Sequence, residues 1–240
     1  MKIIISPAKV QTEQHIFDYG FKSLIFENET CTLNSYLKDY SKNGISKLMK
    51  IKNKLLDNTY ETIQNDFAKN HAINLYNGTV YKEINTNLYD ELQLEYMNSH
   101  LRILSALYGV LEPLTGISPY RLDMTMKPNQ INLYDFWKSS INKYFKDELI
   151  INLASLEYSK MIHLPMINIH FKELINDTYK IVTVRAKKAR GLMVDYLITH
   201  VISDLEDLKS FSEAGYQFNE TLSDEKNFVF TKEEEHYGLL

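Results

Sequence analysis

Cysteine is almost missing from this sequence: Cys31 stands alone among 240 residues. A single thiol cannot close a disulfide within the chain, and no second thiol exists to resolve an oxidised Cys31. A disulfide scaffold and a two-cysteine peroxide switch are therefore excluded, and the chain reads as one made for a reducing compartment. Long apolar runs are missing too. Nothing approaches the ~20 apolar residues of a membrane span, and the apolar start of MKIIISPAK is cut short by Pro7, which makes it too brief for a secretory signal. The expectation is a cytoplasmic protein with no membrane partner. An excess of positive charge is also absent, since the formal net charge is −4, which argues against a uniformly basic nucleic-acid binder. Finally, the sequence has no GxGxxG, no Walker lysine loop, no GxSxG and no HExxH. His163 and His170 are seven apart across Pro165, a spacing that defines no metal site. No cofactor and no metal centre is expected, and no motif names a catalytic residue.

The remaining composition is that of a globular protein, 44% hydrophobic and 24% charged. No repeat, low-complexity segment or linker divides the chain, so residues 1–240 read as a single domain able to bury a core. Charge is unevenly placed. Residues 204–240 hold ten acidic residues against three lysines, a net of −7, so residues 1–203 carry +3 of the formal −4. A basic face on the main body is compatible with the acidic total.

The stretch His100–Met124, HLRILSALYGVLEPLTGISPYRLDM, draws attention first. Leu101, Leu104 and Leu107 or Tyr108 fall at helical spacing. Gly109 sits where a helix would end in a left-handed residue, and Pro113 suits the first turn of a second short helix. The expectation is helix, glycine hairpin, short helix, then the polar-aromatic turn Pro119-Tyr120-Arg121. Such an element can offer backbone N–H groups to a phosphate, as helix-hairpin-helix modules do. It is equally a packed helical corner, because only the first of the two glycines usual in those modules is present.

Along the rest of the chain, Lys2–Ile5 reads as a strand stopped by Ser6-Pro7-Ala8-Lys9. Residues 33–40, 45–56, 59–69 and 88–97 read as helices, Thr79-Val80-Tyr81 as a short extended piece, and Leu133–Phe145 as a helix with an aromatic face. Glu148–Leu153, Met166–His170 and Tyr179–Val184 are strand patterns, with Asn176-Asp177 a hairpin turn between the last two. Arg185–Gly191 then leads into a helix over Leu192–Ser203. Tyr216-Gln217-Phe218 and Phe228-Val229-Phe230 are late strands, expected to pair at a sheet edge. The fold class is mixed α/β, a central mixed sheet surrounded by helices, with the helix-hairpin-helix-like element on Leu101–Leu114.

Polar residues follow three of these strands: Ser6 and Lys9; Asn152, Ser155 and Glu157; and Arg185, Lys187, Lys188 and Arg190. Ligands of such sheets bind beyond the carboxyl ends of strands, so convergence of the three ends would make a polar cleft with excess positive charge, suited to phosphates. The alternative is an exposed basic helix start. Ser6 with Lys9 is a nucleophile–base pair in principle, or a turn with a phosphate contact. The dense carboxylates Glu233-Glu234-Glu235 beside His236 read as an acidic tail rather than an iron site.

Several blocks are shared with one family. ISPAK at 5–9, HLRILSALYGVLEPL at 100–114, PYRLDM at 119–124, LYDFW at 133–137, INLASLEY at 151–158 and AKKARGLM at 186–193 resemble the YaaA family of bacterial peroxide-stress proteins, with residues 10–32 carrying no such block. The resemblance implies a protein that limits oxidative DNA damage and reactive intracellular iron, a mixed α/β fold with a positively charged cleft, and double-stranded DNA as a partner bound largely without regard to sequence. The residues matched to that role are Lys9, Tyr108, Gly109, Val110, Arg121, Arg185, Lys187, Lys188 and Arg190. The competing expectation is an enzyme on a phosphorylated small molecule or a nucleic-acid lesion, with Ser6, Lys9, Asn152, Glu157, Tyr120 and Arg121 as its polar groups and Glu157 as general base.

Overall fold

Three consecutive isoleucines, Ile3–Ile5, leave no side of their strand fit for water, and all three are wholly buried at the centre of a sheet. The computed structural model describes residues 1–13, 19–65 and 70–233. The strand β1 (Lys2–Ile5) comes first, then the helices α1 (Glu27–Lys38), α2 (Lys42–Met49) and α3 (Asn53–Asn65). A two-stranded pair, β2 (Asn70–His71) with the later β5 (Gly116–Ile117), brackets α4 (Ala72–Leu75), α5 (Glu91–His100), β3 (Leu101–Ser105) and β4 (Gly109–Leu111). The chain continues through α6 (Leu133–Tyr144), β6 (Ile150–Asn152), α7 (Leu156–Ser159), β7 (Ile167–Ile175), β8 (Thr178–Lys180), α8 (Thr183–Thr199), α9 (Leu205–Lys209), β9 (Gln217–Phe218) and β10 (Asn227–Lys232).

The main sheet runs β4-β3-β1-β6-β7-β10-β9, with β8 paired to β7. β1 lies parallel to both β3 and β6, β6 is parallel to β7, and β7 is parallel to β10. The carboxyl ends of β1, β3 and β6 therefore leave the sheet on the same side. β4, β8 and β9 pair antiparallel, β9 closing the sheet edge against β10 at Phe230 and Phe218. Helices cover the sheet through one apolar cluster that extends from Ile3 to Phe230 and includes Trp137, Phe145, Phe171 and Phe211. None of the described helices is long and apolar enough to cross a membrane.

The mixed α/β class, β1, α6, the Asn176-Asp177 turn and the late strand pair agree with the sequence reading. Both turn residues have positive φ, 49° and 58°, as a tight hairpin needs. Other boundaries move. The helix expected over 45–56 is broken because Lys50 (φ 54°) and Asn53 (φ 54°) are left-handed, which ends α2 and starts α3. Thr79-Val80-Tyr81 is turn and 3-10 backbone, not extended. Of the strand expected over Tyr179–Val184 only Tyr179 and Lys180 are strand, and the helix begins nine residues earlier than Leu192, at Thr183.

The largest correction falls on Leu101–Leu111. It is strand, turn and strand, not a helical hairpin. Every residue of β3 is buried, because β1 covers one edge, β4 the other, and helices the faces. A continuous apolar run mimics a helical stripe, and neighbours decide between the two. Arg102, which a helix would have turned to solvent, is 3% exposed. Its guanidinium donates to the Asn98 and Leu101 carbonyls and pairs with Glu112 at 3.2 Å. Gly109 does have the expected positive φ, 73°, but it closes the three-residue turn Ala106-Leu107-Tyr108 rather than a helix. Ser105 Oγ accepts from the Leu107 and Tyr108 N–H groups, and Trp137 Nε1 donates to the Ala106 carbonyl at 2.9 Å.

Candidate functional site

The parallel strands deliver polar residues to one place. Ser6 follows β1, Ser105 ends β3, and Ser155 lies three residues beyond β6. The Ser155 N–H donates to Ser6 Oγ at 2.8 Å and Ser6 Oγ donates to Ser155 Oγ at 3.1 Å, which ties the first and third ends together. Above them opens a cleft of about 470 Å³, within the ~300–1,000 Å³ usual for ligand sites. The Ser6–Gln11 segment, the Gly78–Tyr81 turn, the Tyr120–Asp123 turn, Glu157 with Tyr158, and one face of α8 form its walls.

Its charge is unbalanced. Lys9, Arg121, Lys187 and Arg190 face Asp123 and Glu157. Asp123 is shared, lying 3.2 Å from Lys9 Nζ and 3.6 Å from Arg121 Nη2. Arg190 has no carboxylate within ion-pair distance among the described residues, and its buried Nε has no hydrogen-bond partner. Burial pulls its guanidinium below the ordinary value, so a positive charge is held in poorly solvated space without an anion beside it. The Nε of Arg121 is likewise buried and unpartnered. Arg121 has Asp123 beside it, whereas a cation placed as Arg190 is costly until an anion arrives.

Beside the cations lies a group of tyrosines, of which the sequence points only to Tyr120. Tyr120 OH shares hydrogen bonds of 2.8 Å with Ser105 Oγ and Tyr76 OH. Tyr81 OH donates to the Ser6 carbonyl at 2.9 Å. Burial raises Tyr76, Tyr81 and Tyr158, and pushes Tyr120 up to about 12, so this group keeps its protons and joins its neighbours through neutral hydroxyl hydrogen bonds. The abundance of tyrosine, 17 residues, was the available signal, but a count has no position.

The helix α8 sorts its basic run. Lys187 and Arg190, three apart, share the cleft face. Arg185 instead pairs with the buried Glu173 of β7, which also accepts from Tyr216 OH at 2.6 Å. Lys188 is exposed and does not line the cleft. Gly191 explains how α8 comes so close: a Cβ there would lie 2.3 Å from the Val80 carbonyl oxygen, so only glycine lets the helix seat on the turn that walls the cleft.

The other sequence-singled residues divide as follows. Lys9, Arg121, Lys187 and Arg190 are brought together. Tyr108, Gly109 and Val110 are buried, and Gly109 packs against Trp137 and Phe26, so their backbone is turned into the core and not toward a phosphate. Glu157 shares the cleft with Ser6 and Lys9, but no hydrogen bond joins it to either. Asn152 is 8% exposed and bonds Asn168 and the Ala154 N–H. Among the described residues no three His, Cys, Asp or Glu side chains gather as a metal-holding group. Glu234, Glu235 and His236 lie outside the described residues.

Comparison with known proteins agrees with the shared blocks. Residues 1–222 match the family model described as peroxide stress protein YaaA. A UPF0246 protein of Fusobacterium nucleatum is 42% identical over 245 residues, covering 97% of this chain and 99% of the relative. UPF0246 proteins of Clostridium botulinum and Rickettsia felis are 38% and 37% identical, each over 97% of this chain and 100% of the relative. A match spanning nearly the whole chain, including Ser6, Arg121, Glu157, Lys187 and Arg190, places it: the protein belongs to the peroxide stress protein YaaA family.

Proposed function

We propose that this peroxide-stress family member binds the phosphate backbone of nucleic acid, double-stranded DNA in the first place, in the cleft between the Ser6–Gln11 segment and α8. One observation carries the reading: four cations face two carboxylates in one cleft, and Arg190 stands there desolvated and unpaired. Backbone phosphates match fixed cations of this kind and carry no sequence information. Shielding DNA from oxidative damage and restraining reactive iron are the wider roles in this proposal. An iron(II) titration of the purified protein distinguishes direct binding from a downstream effect. The backbone reading is tested by DNA affinity as a function of salt, which falls as counterions are released. Weaker affinity and a flatter salt slope in Lys187→Ala/Arg190→Ala support the cleft; unchanged affinity and slope in the folded variant remove it.

A further inference from the structure

The Tyr81 ring walls two cavities. One is the basic cleft; the other, of about 360 Å³, is lined by different chemistry. Asn74, Asn77, Asn85 and Asn87 supply four amides, Tyr76 and Tyr81 supply rings 5.2 Å apart, and Lys82 is its single charged residue. No carboxylate lines it. Asn74, on α4, is 5% exposed, and its Nδ2 has no hydrogen-bond partner. Buried amide donors are nearly always paired, so an unpaired one in a cavity wall marks the place of an acceptor that the folded chain does not itself supply.

We infer that this cavity holds a nucleobase taken out of its stack, while the phosphates of the same strand occupy the basic cleft. The inference rests on the phosphate-binding reading. Three features select a base. The Asn74 and Asn87 amides offer a donor and an acceptor side by side, the pattern that matches base edges, while Asn77 Nδ2 and Asn85 Nδ2 already donate to Thr12 Oγ1 and the Glu83 carbonyl. Aromatic side chains beside them suit a flat ring, as in pockets that receive extruded bases. The cavity also abuts the cleft: Asn77 lines one and Gly78, its neighbour in the chain, lines the other. Because every base carries acceptor atoms, the pocket favours an available base over a paired one without fixing its identity.

The test compares two probes at one salt concentration: a single-stranded oligonucleotide and an abasic strand of the same length. The wild-type protein should bind the base-bearing strand about tenfold tighter, the effect of one good base contact. Asn74→Leu should abolish that preference and leave abasic affinity unchanged. It should also leave the unfolding temperature level or higher, since an unpaired buried amide is replaced by an apolar group of similar size. If that variant fails to fold, Asn87→Ala on the exposed rim should lower the preference severalfold. Equal affinity of the wild type for both strands overturns the inference, as does a preference that survives both variants. Lys187→Ala/Arg190→Ala should weaken both strands alike. If it weakens neither while Asn74→Leu still removes the preference, the phosphate reading falls and the base site stands. If the wild type binds neither strand, both fall.

Discussion

Two regions of this protein carry the sequence features most suggestive of phosphate binding, and they end up in opposite surroundings. The hairpin Leu101–Leu111 has a left-handed glycine and a tight turn, yet Tyr108, Gly109 and Val110 are buried and the turn is held by Trp137 and Ser105. The α8 segment has no turn or glycine-loop signature, only a run of cations, yet two of them reach an open cleft. A backbone geometry suited to anions does nothing if hydrophobic neighbours occupy its approach. A plain basic helix comes to line an open cleft when strand ends and two turns build walls around half of it.

The comparison breaks most visibly at Gly109. An alanine there must hold a φ of 73° and place its Cβ 2.7 Å from Trp137 and 2.8 Å from Phe26. Strain and overpacking together should cost about 2–4 kcal/mol, read as a lower urea midpoint. DNA affinity of the folded fraction should not change. Loss of affinity with full stability would return the hairpin to the surface.

Gly191→Ala should cost somewhat less, about 1–3 kcal/mol, because the helix shifts off the Val80 carbonyl. Here stability and DNA affinity should fall together, since α8 forms both the packing and the cleft wall. An unchanged affinity would separate α8 from binding.

Alkaline pH probes the tyrosine group. Free tyrosine ionises near ~10, whereas burial holds Tyr120 up to about 12 and raises Tyr76 and Tyr81. Between about pH 10 and 12 the unfolded chain gives up protons that the folded chain keeps. Stability on this account is fully present below pH 10 and declines as pH rises. Urea midpoints at pH 8, 10 and 11 measure it, and a midpoint that holds level to pH 11 contradicts a buried neutral group.

The smallest effect sharpens the sorting along α8. Lys188→Ala removes a cation that is exposed and outside the cleft, so DNA affinity should fall no more than about twofold, as expected for one screened surface charge. A loss matching that of Lys187→Ala would mean that the whole basic run binds.

Much of the fold was legible because single strands and helices stated it locally. Ile3–Ile5 could only be a buried strand, the Leu133–Tyr144 stripe only an amphipathic helix, and Ser6 and Ser155 were each visible just past a strand, whereas the strand expected up to Val184 ends at Lys180 and Lys187 lies within α8 rather than at a strand end. What stayed hidden depended on neighbours. Leu101–Ser105 reads as one apolar helix face until β1 and β4 flank it, and Arg102 reads as exposed until Glu112 and two carbonyls receive it. The cleft was half legible for the same reason. Its cations lie within short blocks, but the partition of Arg185 and Lys188 from Lys187 and Arg190 follows from where α8 begins. The wall that Tyr81 and Tyr120 add follows from turns distant in sequence.

The central claim is that the cleft cations, not the hairpin, hold nucleic-acid phosphates. The most direct measurement is the slope of log affinity for duplex DNA against log salt, for the wild type and for folded Lys187→Ala/Arg190→Ala. The account predicts a similar loss of affinity on unrelated sequences and a slope flatter by about two units, one per phosphate contact removed. A variant with wild-type stability, affinity and slope would contradict it.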